Sequence, residues 1–223
     1  MNTIYIPAKS KLTVDLSQIK SKLGGKILLF TTVQYIEQID KMREQIGKDN
    51  CDILTPKESH AKFAGQILGC TKLLDDEIKD YDAILFVGDG LFHPIALSND
   101  IIDVFCFNPR TKELTKLDDN YFKKIKSKKK SGMNSFYRAK KVGVLVSTKI
   151  GQKRIDAIDV LKKYYPDKEF FGIIFDTIDF SRLEDFNFIE CFVNTACPRI
   201  GVDDELPKPC VNISDLEELN YKW

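Results

Sequence analysis

Short apolar runs alternate along the chain with segments of helical periodicity. The stretch KILLF (Lys26–Phe30) is a short apolar run of the kind found in strands that are buried on both faces of a sheet. Apolar residues then recur at helical spacing, which predicts a crossover helix over Tyr35–Ile46. Further strands of this half are predicted over Cys51–Thr55, Asp82–Gly90 and Asp103–Pro109.

The second half of the chain repeats this scheme. A strand is predicted over Lys141–Thr148, and the apolar spacing from Ile155 to Tyr165 predicts the helix that follows it. Later strands are predicted over Phe170–Phe175, Ile189–Thr195 and Cys210–Ile213. Strands that alternate with helices form parallel sheets covered on both faces. We therefore predict an α/β protein of two related small domains, residues 1–110 and 111–223, each a mainly parallel sheet in a three-layer αβα arrangement.

Composition and charge narrow the classes of partner. Apolar residues make up 43% and charged residues 30% of the 223 residues, as in ordinary globular proteins. The net charge of +1 gives no general attraction to nucleic acid or to anionic membranes. No apolar run is long enough to span a bilayer, and the first residues lack the pattern of a signal peptide. We expect a cytoplasmic protein with no membrane partner.

A lysine-rich stretch, YFKKIKSKKKSGMNSFYRAKK, runs from Tyr121 to Lys141. Such a run is typical either of a nucleic-acid contact or of the solvated face of a helix. Because the overall charge is near zero and no nucleic-acid-binding motif accompanies the run, we favour the solvated helix and expect no direct contact with nucleic acid.

The six cysteines fall into two groups. In a reducing compartment they are expected to be free thiols or metal ligands, and none forms a CxxC pair. Four lie inside or at the edges of apolar strand runs and are expected only to pack there: Cys51, Cys106, Cys191 and Cys210. Cys70 follows Gly69 outside any strand run, where a ligand role and an incidental thiol in a turn are equally consistent with the spacing. Cys197 lies beyond a predicted strand.

Ligands of open parallel sheets bind at the carboxyl ends of the strands, so the strand-exit segments are the candidate site. They are TTVQ (31–34), GQILGC (65–70), GDGLFHP (88–94), STKIGQ (147–152) and NTACPRIGVDD (194–204). Pro198 is favourable at the first position of a helix, so we predict that Cys197 caps a helix whose positive end lowers the pKa of the thiol. A cysteine that merely packs is the alternative.

Three other side chains in these segments could serve a ligand. His93 could shuttle protons or bond a loop carbonyl. STKIGQ offers two hydroxyls, a cation and the Gln152 amide, which suit a carboxylate or phosphate. Arg199 could hold a carboxylate through two hydrogen bonds or pair with one of the aspartates at positions 203 and 204. The GxGxxG pattern is incomplete, and no Walker or GxSxG motif occurs.

Taken in order, these five segments resemble the archaeal diphthamide-synthesis enzymes, the 2-(3-amino-3-carboxypropyl)histidine synthase family. The resemblance covers essentially the whole chain and implies the second and third of three related α/β domains. It implies a radical transferase in which a 4Fe–4S cluster, held by one cysteine from each domain, cleaves S-adenosylmethionine. The 3-amino-3-carboxypropyl radical then adds to a histidine of translation elongation factor 2.

The resemblance also implies roles for particular residues. Cys70 and Cys197 become cluster ligands of the second and third domains, and four side chains are placed on the S-adenosylmethionine side of the cluster: Gln34, His93, Gln152 and Arg199. The sequence departs from the family pattern at Tyr35, Asp89 and Leu91, and the first domain with its cysteine is absent.

The missing cysteine leaves several organisations open. We expect either a separate chain that supplies the first domain and the third cysteine, as in a split gene, or a fragment, or a chain that has lost the chemistry. A dimer is possible. If a separate chain supplies the first domain, the first half should carry an apolar face where that domain packs. The alternatives in function are a non-catalytic scaffold subunit that supports a partner's cluster, and an iron–sulfur enzyme similar to quinolinate synthase.

Overall fold

A computed structural model describes residues 6–57, 61–201 and 204–216. The chain divides into two compact units, Met1–Asp119 and Asn120–Trp223. The boundary was predicted near residue 110. The strand Glu113–Lys116 pairs with the strand before it in the first unit, so the division lies closer to the carboxyl terminus.

The first unit contains a five-stranded sheet in the order β2-β1-β3-β4-β5. Its strands are β1 (Ile27–Thr31), β2 (Cys51–Asp52), β3 (Ala83–Val87), β4 (Asp103–Asn108) and β5 (Glu113–Lys116). The first four strands are parallel, and β5 is antiparallel to β4. Every residue of β1 and β3 is buried, as expected for unbroken apolar runs in the centre of a parallel sheet.

Helix α1 (Ile39–Ile46) covers one face of this sheet. It presents Ile39, Met42 and Ile46 to a core that also contains Leu29 and Leu85 of the central strands. A single turn of 3₁₀-helix, Ile36–Gln38, precedes α1 within the predicted Tyr35–Ile46 helix. A further short helix, α2 (Asp75–Ile78), precedes β3.

The second unit contains a four-stranded, fully parallel sheet in the order β7-β6-β8-β9. Its elements are α3 (Asp119–Arg138), β6 (Lys141–Ser147), α4 (Asp156–Tyr164), β7 (Glu169–Phe175), β8 (Cys191–Asn194) and β9 (Cys210–Asn212). One apolar cluster joins Phe136 of α3 and Leu161 of α4 to Val144 and Val193 of the sheet. A second cluster, which includes Leu145 and Leu183, covers the other face.

These two sheets confirm the predicted α/β class with mainly parallel strands. The lysine-rich stretch lies on α3, where its lysines at 123, 124, 126, 128, 129 and 130 are exposed, as expected for a solvated helix face. Strand β5 was not predicted, because ELTK is polar and largely exposed. No helix within the described part of the chain is both long and apolar enough to cross a lipid bilayer.

Candidate functional site

In the first unit, three strand-exit segments meet at the carboxyl end of β1. The Thr31 N–H donates to the carbonyl of Gly65 at 2.8 Å, and the Ile67 N–H donates to the carbonyl of Thr31 at 2.9 Å. The Thr31 hydroxyl donates to the carbonyl of Val87, the last residue of β3, at 2.6 Å. The GQILGC segment is thereby held against the ends of both central strands.

Cys70 lies in a tight turn that follows this contact. The Thr71 N–H donates to the Leu68 carbonyl, and the Leu68 N–H donates to the Thr71 hydroxyl, both at 3.0 Å. A Cβ atom at Gly69 would lie 2.7 Å from Cε1 of Phe92. The Phe92 ring therefore packs directly on the backbone that precedes Cys70, and a larger residue at position 69 would displace this ring. The Cys70 side chain is half-buried.

His93 lies beside the same contact. Its ring centroid is 5.2 Å from that of Phe92, edge to face, and 6.4 Å from that of Phe86, in a stacked arrangement. The structure thus brings Cys70 and His93 into one region through Phe92. Gln34 follows β1 at the same edge of the sheet and is exposed.

The side chains of Tyr35 and Asp89 contact each other. The Tyr35 ring is buried, and its hydroxyl donates to the Asp89 carboxylate at 3.3 Å. Burial raises the pKa of Tyr35, so the phenol remains a hydrogen-bond donor. An Arg110 guanidinium nitrogen lies 3.8 Å from the same carboxylate. This contact was not predicted, because it depends on β1 and β3 being neighbours in the sheet.

In the second unit, Cys197 is half-buried in the segment after β8. The prediction that it caps a helix is wrong, because residues 198–201 form a turn closed by the Ile200 N–H on the Cys197 carbonyl at 2.9 Å. The same carbonyl accepts a hydrogen bond from the Asn194 side chain at 2.8 Å. Gly201 adopts φ +83°, a left-handed conformation that also ends helices.

The remaining candidates in this unit differ in their surroundings. The hydroxyls proposed to bind an anion have partners within the protein: Ser147 donates to the backbone carbonyl of Asp176, and Thr148 donates to its carboxylate, each at 2.9 Å. Gln152 is half-buried after this segment. Arg199 is 7% exposed, two residues beyond Cys197. Its alternative partner at position 203 lies outside the described residues.

The other four cysteines have the surroundings of packing residues. Burial raises the pKa of Cys51 to about 11 and the pKa of Cys106 and Cys191 to about 12. Burial also raises the pKa of Cys210, which lies in β9. Burial in the strands therefore favours the protonated thiol at these positions, as expected for cysteines that only pack.

Comparison with known proteins decides the family. The model of the diphthamide synthesis protein family matches residues 1–220. The chain belongs to the diphthamide synthesis protein family.

Similar members include the 2-(3-amino-3-carboxypropyl)histidine synthases of two archaea. The Pyrococcus horikoshii protein is 32% identical over 97% of this chain and 65% of its own length, and the Methanocaldococcus jannaschii protein is 30% identical over 92% and 57%. Dph2 from P. horikoshii superposes with a TM-score of 0.74 at 29% identity, over 95% of this chain and 63% of that one. The chain therefore spans less than two thirds of these relatives.

A solved relative shows which cofactor the candidate thiols can be compared with. Dph2 from P. horikoshii has also been solved with a 4Fe–4S cluster; that structure matches 92% of this chain and 60% of its own, with a TM-score of 0.72 at 30% identity. Cys70 and Cys197 fit such a group in chemistry, as half-buried thiols in strand-exit loops. Within residues 6–57, 61–201 and 204–216, no cluster of three or more histidine, cysteine or acidic side chains is arranged to hold a metal.

The contrast between the two groups of thiols predicts their reactivity. In the native, metal-free protein at about pH 8, iodoacetamide should modify the half-buried Cys70 and Cys197. The thiols of Cys51, Cys106 and Cys191 should remain largely unmodified, because they are buried and burial raises their pKa values. Raising the pH by about one unit should still leave these three thiols unmodified, because their pKa values lie above that pH. Peptide mass spectrometry gives the extent of each reaction. Early modification of Cys106 or Cys191 would contradict this assignment.

Proposed function

We propose that this chain is the part of a 2-(3-amino-3-carboxypropyl)histidine synthase that carries Cys70 and Cys197. The enzyme would transfer the 3-amino-3-carboxypropyl group of S-adenosylmethionine to a histidine of translation elongation factor 2, the first step of diphthamide biosynthesis. One observation carries the proposal beyond family membership. Of the six thiols, the two that the family resemblance assigns as ligands lie in strand-exit loops, while the other four lie in strands.

Cys70 and Cys197 would hold a 4Fe–4S cluster as thiolates, which are the ligands that such clusters prefer. When bound, the cluster supplies the electron that cleaves the sulfur–γ-carbon bond of S-adenosylmethionine. The buried guanidinium of Arg199 would provide a fixed positive charge for the substrate carboxylate. We assign Gln34, His93 and Gln152 to the S-adenosylmethionine side of the cluster as well.

A third thiolate would come from polypeptide outside these 223 residues, in a separate chain or in a further part of the same protein. The greater length of the relatives supports this proposal. Exposed apolar side chains of the first unit would contribute to the surface where that polypeptide docks. They include Phe63, Leu91, Phe92 and Ile101, exposed to 41%, 53%, 49% and 46%. A dimer is compatible with this arrangement.

We place the protein in the cytoplasm. The supporting observation is that all six cysteines are free thiols, which is typical of a reducing compartment. The protein substrate proposed above, an elongation factor, is found in that compartment.

The direct test is turnover by the native protein, purified anaerobically from its own cells with any bound partner. After reduction with dithionite, it should convert S-adenosylmethionine to methylthioadenosine and label elongation factor 2 with the 3-amino-3-carboxypropyl group. Both products can be measured by mass spectrometry. The scaffold alternative predicts a different result. This protein would then contain no iron and bind a homologous subunit, and activity would depend only on the cysteines of that subunit.

A further inference from the structure

We propose that Asn194 and Asn212 are positioning residues that fix the backbone around Cys197. They are the last residues of the neighbouring strands β8 and β9 and are paired directly in the sheet register. Both side chains are buried, at 0% and 5% exposure. The role of Cys197 as a cluster ligand rests on the function proposed above. The geometry of its loop is observed in the structure and is independent of that function.

The two amide side chains bond to each other and to the loop. Asn194 Nδ2 donates to Asn212 Oδ1 at 2.7 Å and to the carbonyl of Cys197 at 2.8 Å. Asn194 Oδ1 accepts from the Ala196 N–H at 3.0 Å, and Asn212 Nδ2 donates to the carbonyl of Pro198 at 2.9 Å. The pair therefore contacts three consecutive residues, with Cys197 in the middle.

The backbone partners of these side chains show that they hold the loop and do not add to the backbone pairing of the two strands. The side-chain bonds to the backbone all go to residues 196–198 and none to the ladder of the sheet. In a helix, the carbonyls of Cys197 and Pro198 would accept from amides four residues later. Here the buried amide side chains of Asn194 and Asn212 donate to those carbonyls instead, and the backbone forms a turn.

Neighbouring contacts hold the same loop in place. The Thr195 hydroxyl and N–H both donate hydrogen bonds to the carbonyl of Leu145 on β6, at 2.8 and 3.1 Å. A Cβ atom at Gly201 would lie 3.4 Å from the Cys210 sulfur, so the end of the turn packs on β9. Asn212 is the only connection from β9 to the Pro198 carbonyl among the hydrogen bonds of the described residues. Its removal should therefore loosen the turn more than it loosens the sheet.

The test uses the full-length, metal-free protein and the rate at which iodoacetamide modifies Cys197. Asn212→Leu keeps the approximate shape of the side chain and removes the bonds to Asn194 and Pro198. Loss of hydrogen bonds of this kind should raise the Cys197 rate roughly tenfold, while the rate at Cys70, in the other unit, stays unchanged. Hydrogen exchange of the Ala196 and Ile200 amides should accelerate in parallel.

A matched variant separates local loosening from general instability. Leu161→Val weakens the core of the same unit without touching the loop, and it should leave the Cys197 rate close to that of the wild type. If Asn212→Leu does not fold, Asn212→Ser removes the same bonds to Asn194 and Pro198 in a smaller side chain. An unchanged Cys197 rate, or a rise matched by Leu161→Val, would overturn the proposal. A wild-type protein that never takes up iron would contradict the proposed function, and the alkylation rates would still decide the role of the asparagines.

Discussion

Cys197→Ser and Cys70→Ser are each expected to lower the iron bound by the anaerobically reconstituted native protein by more than about tenfold, because clusters of this type are held by thiolates. Formation of methylthioadenosine should fall below detection in both variants. The serine hydroxyl is nearly the size of the thiol but stays protonated at neutral pH, so the loop retains its shape while the ligand is lost. Iron content and product can be measured on the same samples.

The buried thiols provide the control for this result. Cys106→Ala and Cys191→Ala remove thiols whose pKa values are about 12 and which lie within strands. Both should bind as much iron as the wild type, at some cost in stability from the cavity that is created. Full iron loading in Cys197→Ser would show that this thiol is not a ligand.

Gly132→Ala is expected to destabilise the second unit by about 3 kcal/mol, although alanine normally stabilises the interior of a helix relative to glycine. Gly132 lies in α3, and a Cβ atom there would overlap the carbonyl oxygen of Cys210 in β9. The obstacle is backbone, which cannot move aside as a flexible side chain can. A decrease in the free energy of unfolding of Gly132→Ala would therefore indicate that α3 lies close to the sheet.

Urea denaturation followed by circular dichroism measures this free energy. Ser131→Ala is the matched control, because Ser131 is the preceding residue of the same helix and is exposed. Its stability should be unchanged or slightly raised. A Gly132→Ala variant more stable than the wild type would show that α3 does not pack on β9 in this way.

The parts of the fold that follow local rules could be predicted from the sequence. The apolar runs of β1, β3 and β6 are long enough to identify buried parallel strands without reference to other elements. The β2 strand was predicted over five residues, but only Cys51 and Asp52 pair with β1. Pairing depends on the neighbour as well as on the run itself, so strand ends could not be fixed from the pattern.

The site was harder to predict, because its decisive contacts join residues far apart in the sequence. Pro198 predicted a helix after Cys197, and that helix does not form. The Cys197 and Pro198 carbonyls accept instead from Asn194 and from Asn212, which lies on the next strand of the sheet. Likewise, Gly69 packs against the ring of Phe92, which belongs to the loop after β3. Such contacts become visible only once the strand order is known.

The proposed function requires the thiols of Cys70 and Cys197 to bind the same cluster. Treating the native, metal-free protein with dibromobimane, a short reagent that bridges two nearby thiols, tests this claim most directly. Peptide mass spectrometry should find the Cys70 and Cys197 peptides joined by a single bridge, and prior loading with iron should prevent the reaction. If both thiols react but only as separate single adducts, the two cysteines do not share a site.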